Sequence, residues 1–427
     1  MAQKQRRSLF VVATLFIALL LILGPTSNTL SFYFAAFVKL FGWTHAQVSL
    51  IATCFSLAMG LSAPLAGWLL DRLDASLVMG SGAAFVIAGL LMASRAHSLG
   101  TVLWAYVLIG AGVGCSTMIP ASVVATNWFS QRRGLALAST LAGAAAASVT
   151  MPLVISHLLL VHGTRTTLAI SAVPIIVLVM PLVLLIVRTR PAESSEARQA
   201  DGKSGQAVSG LEFSPALRTT PFWLLVLVQL GYGAGFGGFH YHFVPVLLNA
   251  GYSQSMAAIL MSITSAVAVA SFFLVGMAAD RFGGRATLAW SMGMLGAGVA
   301  LFGGIGYRPA AVPILIAALA MVGLFVGSAP IAGPILLVET LGLRRFGSLL
   351  GLLNFCSLIG FAIGPVIVGR MFDRTAAYST AMQVCGALCV AGGLAAFAAF
   401  PAPGHDAVPR PASTAVDLKP GEARSLL

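Results

Sequence analysis

Apolar stretches of about twenty residues follow one another almost without a break from Leu9 to Pro401. Each is long enough to cross a hydrocarbon core of about 30 Å as an α-helix. A backbone in lipid must satisfy its own N–H and C=O groups, so a spanning segment is either a helix or part of a closed barrel. Unbroken apolar runs, without the alternation of a barrel strand, select the helix. Only 8% of the 427 residues are charged, against about 25% in a soluble chain. No segment is left over for a soluble catalytic domain.

Charged and Gly/Pro-rich clusters mark the span ends. They place helices near 9–38, 46–70, 77–95, 101–125, 134–158, 167–188, 221–248, 254–279, 286–306, 312–338, 346–372 and 378–400. The fold class is therefore an all-α membrane protein of twelve transmembrane helices. One long polar interruption divides them, which gives a six-helix bundle over 1–188, a cytoplasmic linker over 189–220, a second six-helix bundle over 221–400 and a cytoplasmic polar tail over 401–427. The orientation follows from the bias of Lys and Arg toward the inner loops. With the N-terminus inside, Arg72, Arg132, Arg133, Arg281, Arg285, Arg344 and Arg345 lie in inner loops, and the linker adds more. Both termini are expected in the cytoplasm and the chain in a cell inner membrane. The net charge of +12 is spread over these short loops. It lacks the clustered basic face that binds nucleic acid, so the partner is the lipid bilayer.

The two halves match at corresponding offsets. Gly42-Trp43-Thr44 precedes the second span as Gly251-Tyr252-Ser253 precedes the eighth, and Gly67 through Arg72 corresponds to Gly276 through Arg281. Parallel repeats of this kind imply a pathway between the halves, opened alternately to each side. The aspartates Asp71 and Asp280, with Arg72, Arg281 and Arg285, form a candidate gate at the inner helix ends. A carboxylate there can accept from N–H groups at the start of a facing helix.

Polar groups inside a bilayer are costly and are candidates for function. In the seventh span Gln229, Tyr232, Phe236 and His240 recur at steps of three, four and four residues and share one helical face. A histidine titrates near pH 6.5, so His240 and His242 are candidates for carrying a proton. A structural role for either, bonded to a backbone carbonyl, stays open. Asn28, just beyond Gly24-Pro25, and Asn354 in the eleventh span can each donate and accept, which suits a carboxylate, an amide or a hydroxyl. Glu339, near Arg344 and Arg345, reads as a surface ion pair. The five cysteines all lie in apolar runs and read as packing residues. No metal or organic cofactor is implied. An intramembrane enzyme would need a Ser/His/Asp set or a His–Glu metal cluster in one cavity, and none is legible.

The loop Gly276 through Arg285 resembles the signature of the major facilitator superfamily. The first half keeps Gly67, Leu69, Asp71 and Arg72 but has Asp74 where that signature has glycine. Within the superfamily the chain resembles the monocarboxylate and oxalate:formate porter branch, in Phe41-Gly42-Trp43-Thr44, Asn127-Trp128-Phe129 with Arg132-Arg133-Gly134, His242-Phe243-Val244-Pro245, and Gly364-Pro365 with Gly369 and Asp373. The resemblance implies a monomeric secondary active transporter that moves a small organic acid by alternating access, as a symport with a proton. It also implies a basic residue in the first span, an Arg in the eighth or a Lys in the eleventh; here the first-span position falls near Asn28, the eighth span has no charge between Gln254 and Asp280, and the eleventh has Asn354 but no Lys before Arg370. That departure keeps open a carrier or exporter of neutral or amphipathic aromatic solutes, and more remotely a substrate-sensing receptor on a transporter scaffold. Asn28, Gln229, Tyr232, Phe236, His240 and Asn354 are the expected substrate contacts.

Overall fold

The computed structural model describes residues 2–70, 72–128, 133–187, 213–304, 312–342 and 346–400. Among them the chain forms twelve apolar helices. The first, α1, is built from Ala2–Leu23, Gly24–Asn28 and Leu30–Phe41; α2 spans His45–Leu70, α3 Ala75–Ser94, and α4 Leu99–Ser116 with Met118–Trp128. A continuous run follows from Ala136 to Ile186, which at 51 residues is far too long for one crossing. It breaks at Gly163, whose φ of 73° and ψ of 174° are closed to other residue types without strain. The break separates α5 (133–162) from α6 (164–186). In the second half α7 spans Thr220–Asn249, α8 Gln254–Phe282 and α9 Gly284–Gly303; α10 combines Val312–Phe325, Ser328–Ala332 and Gly333–Leu341, and α11 and α12 span Phe346–Thr375 and Ser379–Ala398.

Three helices contain a π turn, at Gly24–Asn28, Ile175–Val179 and Ser328–Ala332. Each lies in or beside a proline: Pro25, Pro174 and Pro330. A proline lacks the N–H that would continue the α ladder, and the widened turn absorbs the mismatch. In α1 two threonines satisfy the loosened carbonyls, Thr26 Oγ1 donating to Ile22 O (2.5 Å) and Thr29 Oγ1 to Gly24 O (3.0 Å).

The buried apolar side chains form two clusters, one drawn from residues 11–187 and the other from residues 216–399. Two residues cross over: Tyr241 of α7 belongs to the first cluster and Phe32 of α1 to the second. Lipid is as apolar as a leucine side chain, so these helices are held by close packing and not by hydrophobic exclusion from water. Gly82 of α3 meets Gly112 of α4, and a Cβ on the former would lie 2.8 Å from the carbonyl oxygen of the latter. Gly296 of α9 and Gly386 of α12 make the equivalent contact. Cys385 and Cys389 of α12 fill the space over Gly235 and Gly238 of α7, the packing role expected for them.

Candidate functional site

The seam between the two helix sets receives some of the sequence candidates and not others. Gln229, Tyr232, Phe236 and His240 do share a face of α7, but that face has two neighbours. Its first half turns into the second helix set: Gln229 is buried with its amide facing Gly333 of α10, and Tyr232 donates from its hydroxyl to the carbonyl of Val326 at 3.1 Å. Its second half faces the seam. The Phe236 ring stacks on Tyr232 (centroids 5.4 Å apart) and lies 5.7 Å from the His240 ring, and both Phe236 and His240 are half-buried. His240 lies beside the backbone of Ser27 in the π turn of α1. That contact brings it beside Asn28, the half-buried residue that closes the same turn.

From α11, Phe361 stands edge-on to both Tyr232 and Phe236 at 6.1 Å and to Tyr241 at 6.4 Å. Asn354 lies two turns earlier on the same helix and is exposed. Leu358, between them, sits over Gly60 of α2. Residues four and seven positions apart share a helical face, so Asn354 projects along the seam between the sets. The seam thus offers aromatic rings from α7 and α11, a histidine and two carboxamides. Among the described residues every Lys, Arg, Asp and Glu lies at or near a helix end, away from these rings. Nor do any three His, Cys, Asp or Glu side chains among them gather as a metal site.

His242 plays a different part from His240. Its Nε2 is 3.0 Å from Ser49 Oγ on α2 and 3.1 Å from Pro365 O on α11. The Pro365 carbonyl can only accept, and the Ser49 hydroxyl already donates to His45 O at 2.7 Å, so Nε2 carries the hydrogen. Nδ1 is then the basic nitrogen, and it is buried without a partner. His242 ties α2, α7 and α11 together at one level.

Of the gate residues, Asp71 lies outside the described residues. Arg72 sits over the ring of Trp68 at 4.0 Å, and Asp280 and Arg281 are exposed, with Arg281 5.4 Å from the Phe282 ring. Arg285 donates to Phe397 O at 2.7 Å and lies 3.7 Å over the Phe400 ring. These guanidinium groups rest on exposed aromatic rings at the helix ends, an arrangement suited to a membrane interface. Glu339 has a role that the ion-pair expectation missed. It accepts from Gly284 N at 2.8 Å and so caps the first turn of α9; Arg344 and Arg345 lie outside the described residues. Glu339→Ala is expected to cost about 1 kcal/mol, the usual worth of a helix cap. A lowered melting temperature of the detergent-solubilised protein would report it, and an unchanged one would mean that water replaces the carboxylate.

A twelve-helix, two-set architecture with a polar and aromatic seam defines a carrier. The family model of the Major Facilitator Superfamily matches residues 14–302 and 243–426, and the chain belongs to that superfamily. It is a transporter, not an enzyme. It is similar to Monocarboxylate transporter 13 of Rattus norvegicus, at 27% identity over 84% of this chain and 81% of that protein. It is also similar to the Oxalate:formate antiporter of Oxalobacter formigenes, at 26% identity over 60% of each. Among solved structures, the nucleoside transporter NupG superposes with a TM-score of 0.76 at 15% identity, covering 92% of this chain and 99% of that one. At that identity the likeness speaks to the fold alone.

Proposed function

We propose that the chain carries a small organic acid across a cell inner membrane by alternating access, coupled to a proton, with both termini and the linker in the cytoplasm. The observation that carries this reading is the placement of His240, half-buried between the aromatic face of α7 and the π turn of α1. A carboxylate entering a low-dielectric seam without a fixed cation is strongly disfavoured unless its charge is compensated. A protonated His240 supplies that compensation, and Asn28 and Asn354 supply hydrogen bonds to the carboxyl oxygens. Proton and acid then cross together with no net charge. The names of the relatives, monocarboxylate and oxalate transporters, agree with this class. The excess of Lys and Arg in the inner loops supports the orientation.

Phe236 and Phe361 favour a second reading. Two partly exposed rings in a seam without fixed charge also suit a neutral aromatic solute. The deciding experiment is uptake by proteoliposomes of radiolabelled acetate, lactate, oxalate and benzoate, beside a neutral aromatic amide, with and without an inward proton gradient. Accumulation of one or more of the acids above equilibrium only when the gradient is imposed is the expected result. Movement of the neutral solute alone, indifferent to the gradient, would replace the organic-acid reading with the second one.

A further inference from the structure

Among the described residues, several hydrogen bonds join the two helix sets at the end of the molecule away from the termini, where α1, α7 and α11 finish and α2 and α8 begin. Asp373, in the last turn of α11, lies against the first turn of α2. Its Oδ1 accepts from His45 N at 2.9 Å and its Oδ2 from Ala46 N at 2.8 Å. Both N–H groups belong to the start of α2, where a helix has donors without internal partners and the positive end of its dipole. The partners are 328 residues apart in sequence and come from opposite halves. The His45 ring adds a contact of 3.3 Å from Nδ1 to Oδ1 and packs on Phe372 at 4.1 Å between centroids.

One turn before Asp373, Gly369 lets the helices close. A Cβ there would lie 2.6 Å from Ser49 Oγ and 2.7 Å from His45 O. The same level holds the His242 bonds to Ser49 and Pro365 described above. Next to it, Val244 N donates to Ser31 Oγ at 2.9 Å, joining α7 to α1. On the opposite flank Gln254 Nε2 donates to Ser156 O at 3.2 Å and Ser156 Oγ to Gln254 O at 3.3 Å, joining α8 to α5. These bonds all link one half to the other or brace the residues that do, and a carrier that alternates must break them to open this side.

The geometry points to Asp373 as the latch of this distal gate: a carboxylate of one half that holds the gate shut by capping the first turn of α2 in the other. The sequence offers Asp71 and Asp280 as candidate helix-capping aspartates at the opposite end; Asp373 caps a facing helix at the distal end. Among the distal cross-links of the described residues it alone is ionic on the side of the acceptor and satisfies two helix N–H groups at once, an arrangement stronger than a neutral hydrogen bond. With side chains only 22% and 24% exposed, His45 and Asp373 remain within reach of water, so the latch can be solvated when it opens. Asp373 is a positioning residue. It touches no substrate and sets the balance between the distal-closed and distal-open states. The inference rests on the carrier assignment and is independent of which solute is carried.

The test measures that balance directly. Spin labels on cysteines introduced at Gly100 and Ser255, exposed distal positions in opposite halves, report their separation by pulsed electron resonance, with the five native cysteines replaced. Asp373→Asn keeps the shape but loses the charge and one acceptor. It is expected to raise the distal-open population at least about fivefold, a shift of about 1 kcal/mol, while the melting temperature stays near that of the parent. His45→Ala leaves the backbone donors in place and is expected to change the distribution far less. Gly369→Ala pushes α2 and α11 apart without touching the carboxylate, and is expected to open the gate as Asp373→Asn does. A folded Asp373→Asn protein with the parent's distance distribution would overturn the latch. If that variant fails to fold, a parental distribution in folded Gly369→Ala would overturn it equally. Loss of acid uptake in the panel above, with the gate still shifting on Asp373→Asn, would reject the proposed substrate and leave the latch standing.

Discussion

Replacing His240 with alanine is expected to abolish accumulation driven by a proton gradient, lowering the ratio of uptake with the gradient to uptake without it by about tenfold, equivalent to about 1.4 kcal/mol of lost coupling. The expectation follows from the position of the ring. It is half-buried, beside the backbone of Ser27, and 5.7 Å from the Phe236 ring. The reporter is acid accumulation in proteoliposomes, compared with exchange of labelled for unlabelled acid at equal pH on both sides. Exchange needs binding and rocking but no net proton movement, so His240→Ala is expected to impair exchange less than accumulation. His242→Ala provides the contrast. It removes hydrogen bonds to Ser49 and Pro365 and is expected to lower the melting temperature while leaving the gradient dependence intact. Full accumulation by His240→Ala would route the proton elsewhere and return His242 to consideration.

The difference between these two histidines marks the limit of what the sequence could carry. Spans were legible because an apolar run of bilayer length has few alternatives, and the expected spans agree with the helices to within several residues. The fifth and sixth spans were expected with a loop between them over 159–166, whereas the chain stays helical on both sides of a single left-handed glycine, Gly163. The shared face of α7 was legible from steps of three and four. Its neighbours were not, because helical spacing says which residues point the same way and nothing about what they point at. Gln229 and Tyr232 therefore looked equivalent to Phe236 and His240, although α10 buries the first pair and the seam receives the second.

Phe361 was missed for the same reason. One phenylalanine in an apolar run carries no signal until the facing helix is known. Asp373 is more instructive, because its residue type was conspicuous. An aspartate at the end of a span reads as a topological stop, and its partners are backbone N–H groups that no side-chain pattern records. Repetition between halves drew attention to Asp71 and Asp280, while the distal carboxylate has no counterpart at the matching place in the first half. The signals that could have found it were the neighbouring Gly369, which implies a close approach of α11 to something, and the start of α2, where Thr44 caps the N–H of Gln47 at 3.2 Å and leaves those of His45 and Ala46 to another acceptor. Joining the two needs the tertiary fold.

The close approach of α7 to α11 yields the second large expected effect. A Cβ on Gly364 would collide with the carbonyl of Ala234 and come within 2.9 Å of the Ala234 Cα; one on Gly360 would lie 2.7 Å from Ala234 N and 2.8 Å from the Cα of Gly233. These obstacles are backbone atoms in the middle of two long helices. They cannot rotate aside as a side-chain end can, so relief requires the helices to separate. Overpacking of this kind costs about 1–3 kcal/mol and sometimes more. Gly364→Val is therefore expected to lower the melting temperature by roughly 5 °C or more. Transport is expected to fall further than stability, because α7 presents Phe236 and His240 and α11 presents Phe361, and a small separation dismantles the ring contacts between them. Gly293→Val is the control: a Cβ on Gly293 of α9 meets nothing within 4 Å, so the same substitution there is expected to leave both readouts near the parent. Melting curves and uptake on the two variants check the prediction. A Gly364→Val protein as stable and active as the Gly293→Val control would mean that α7 and α11 are not held at contact distance in the bilayer, and that the seam is assembled by some other pair of helices.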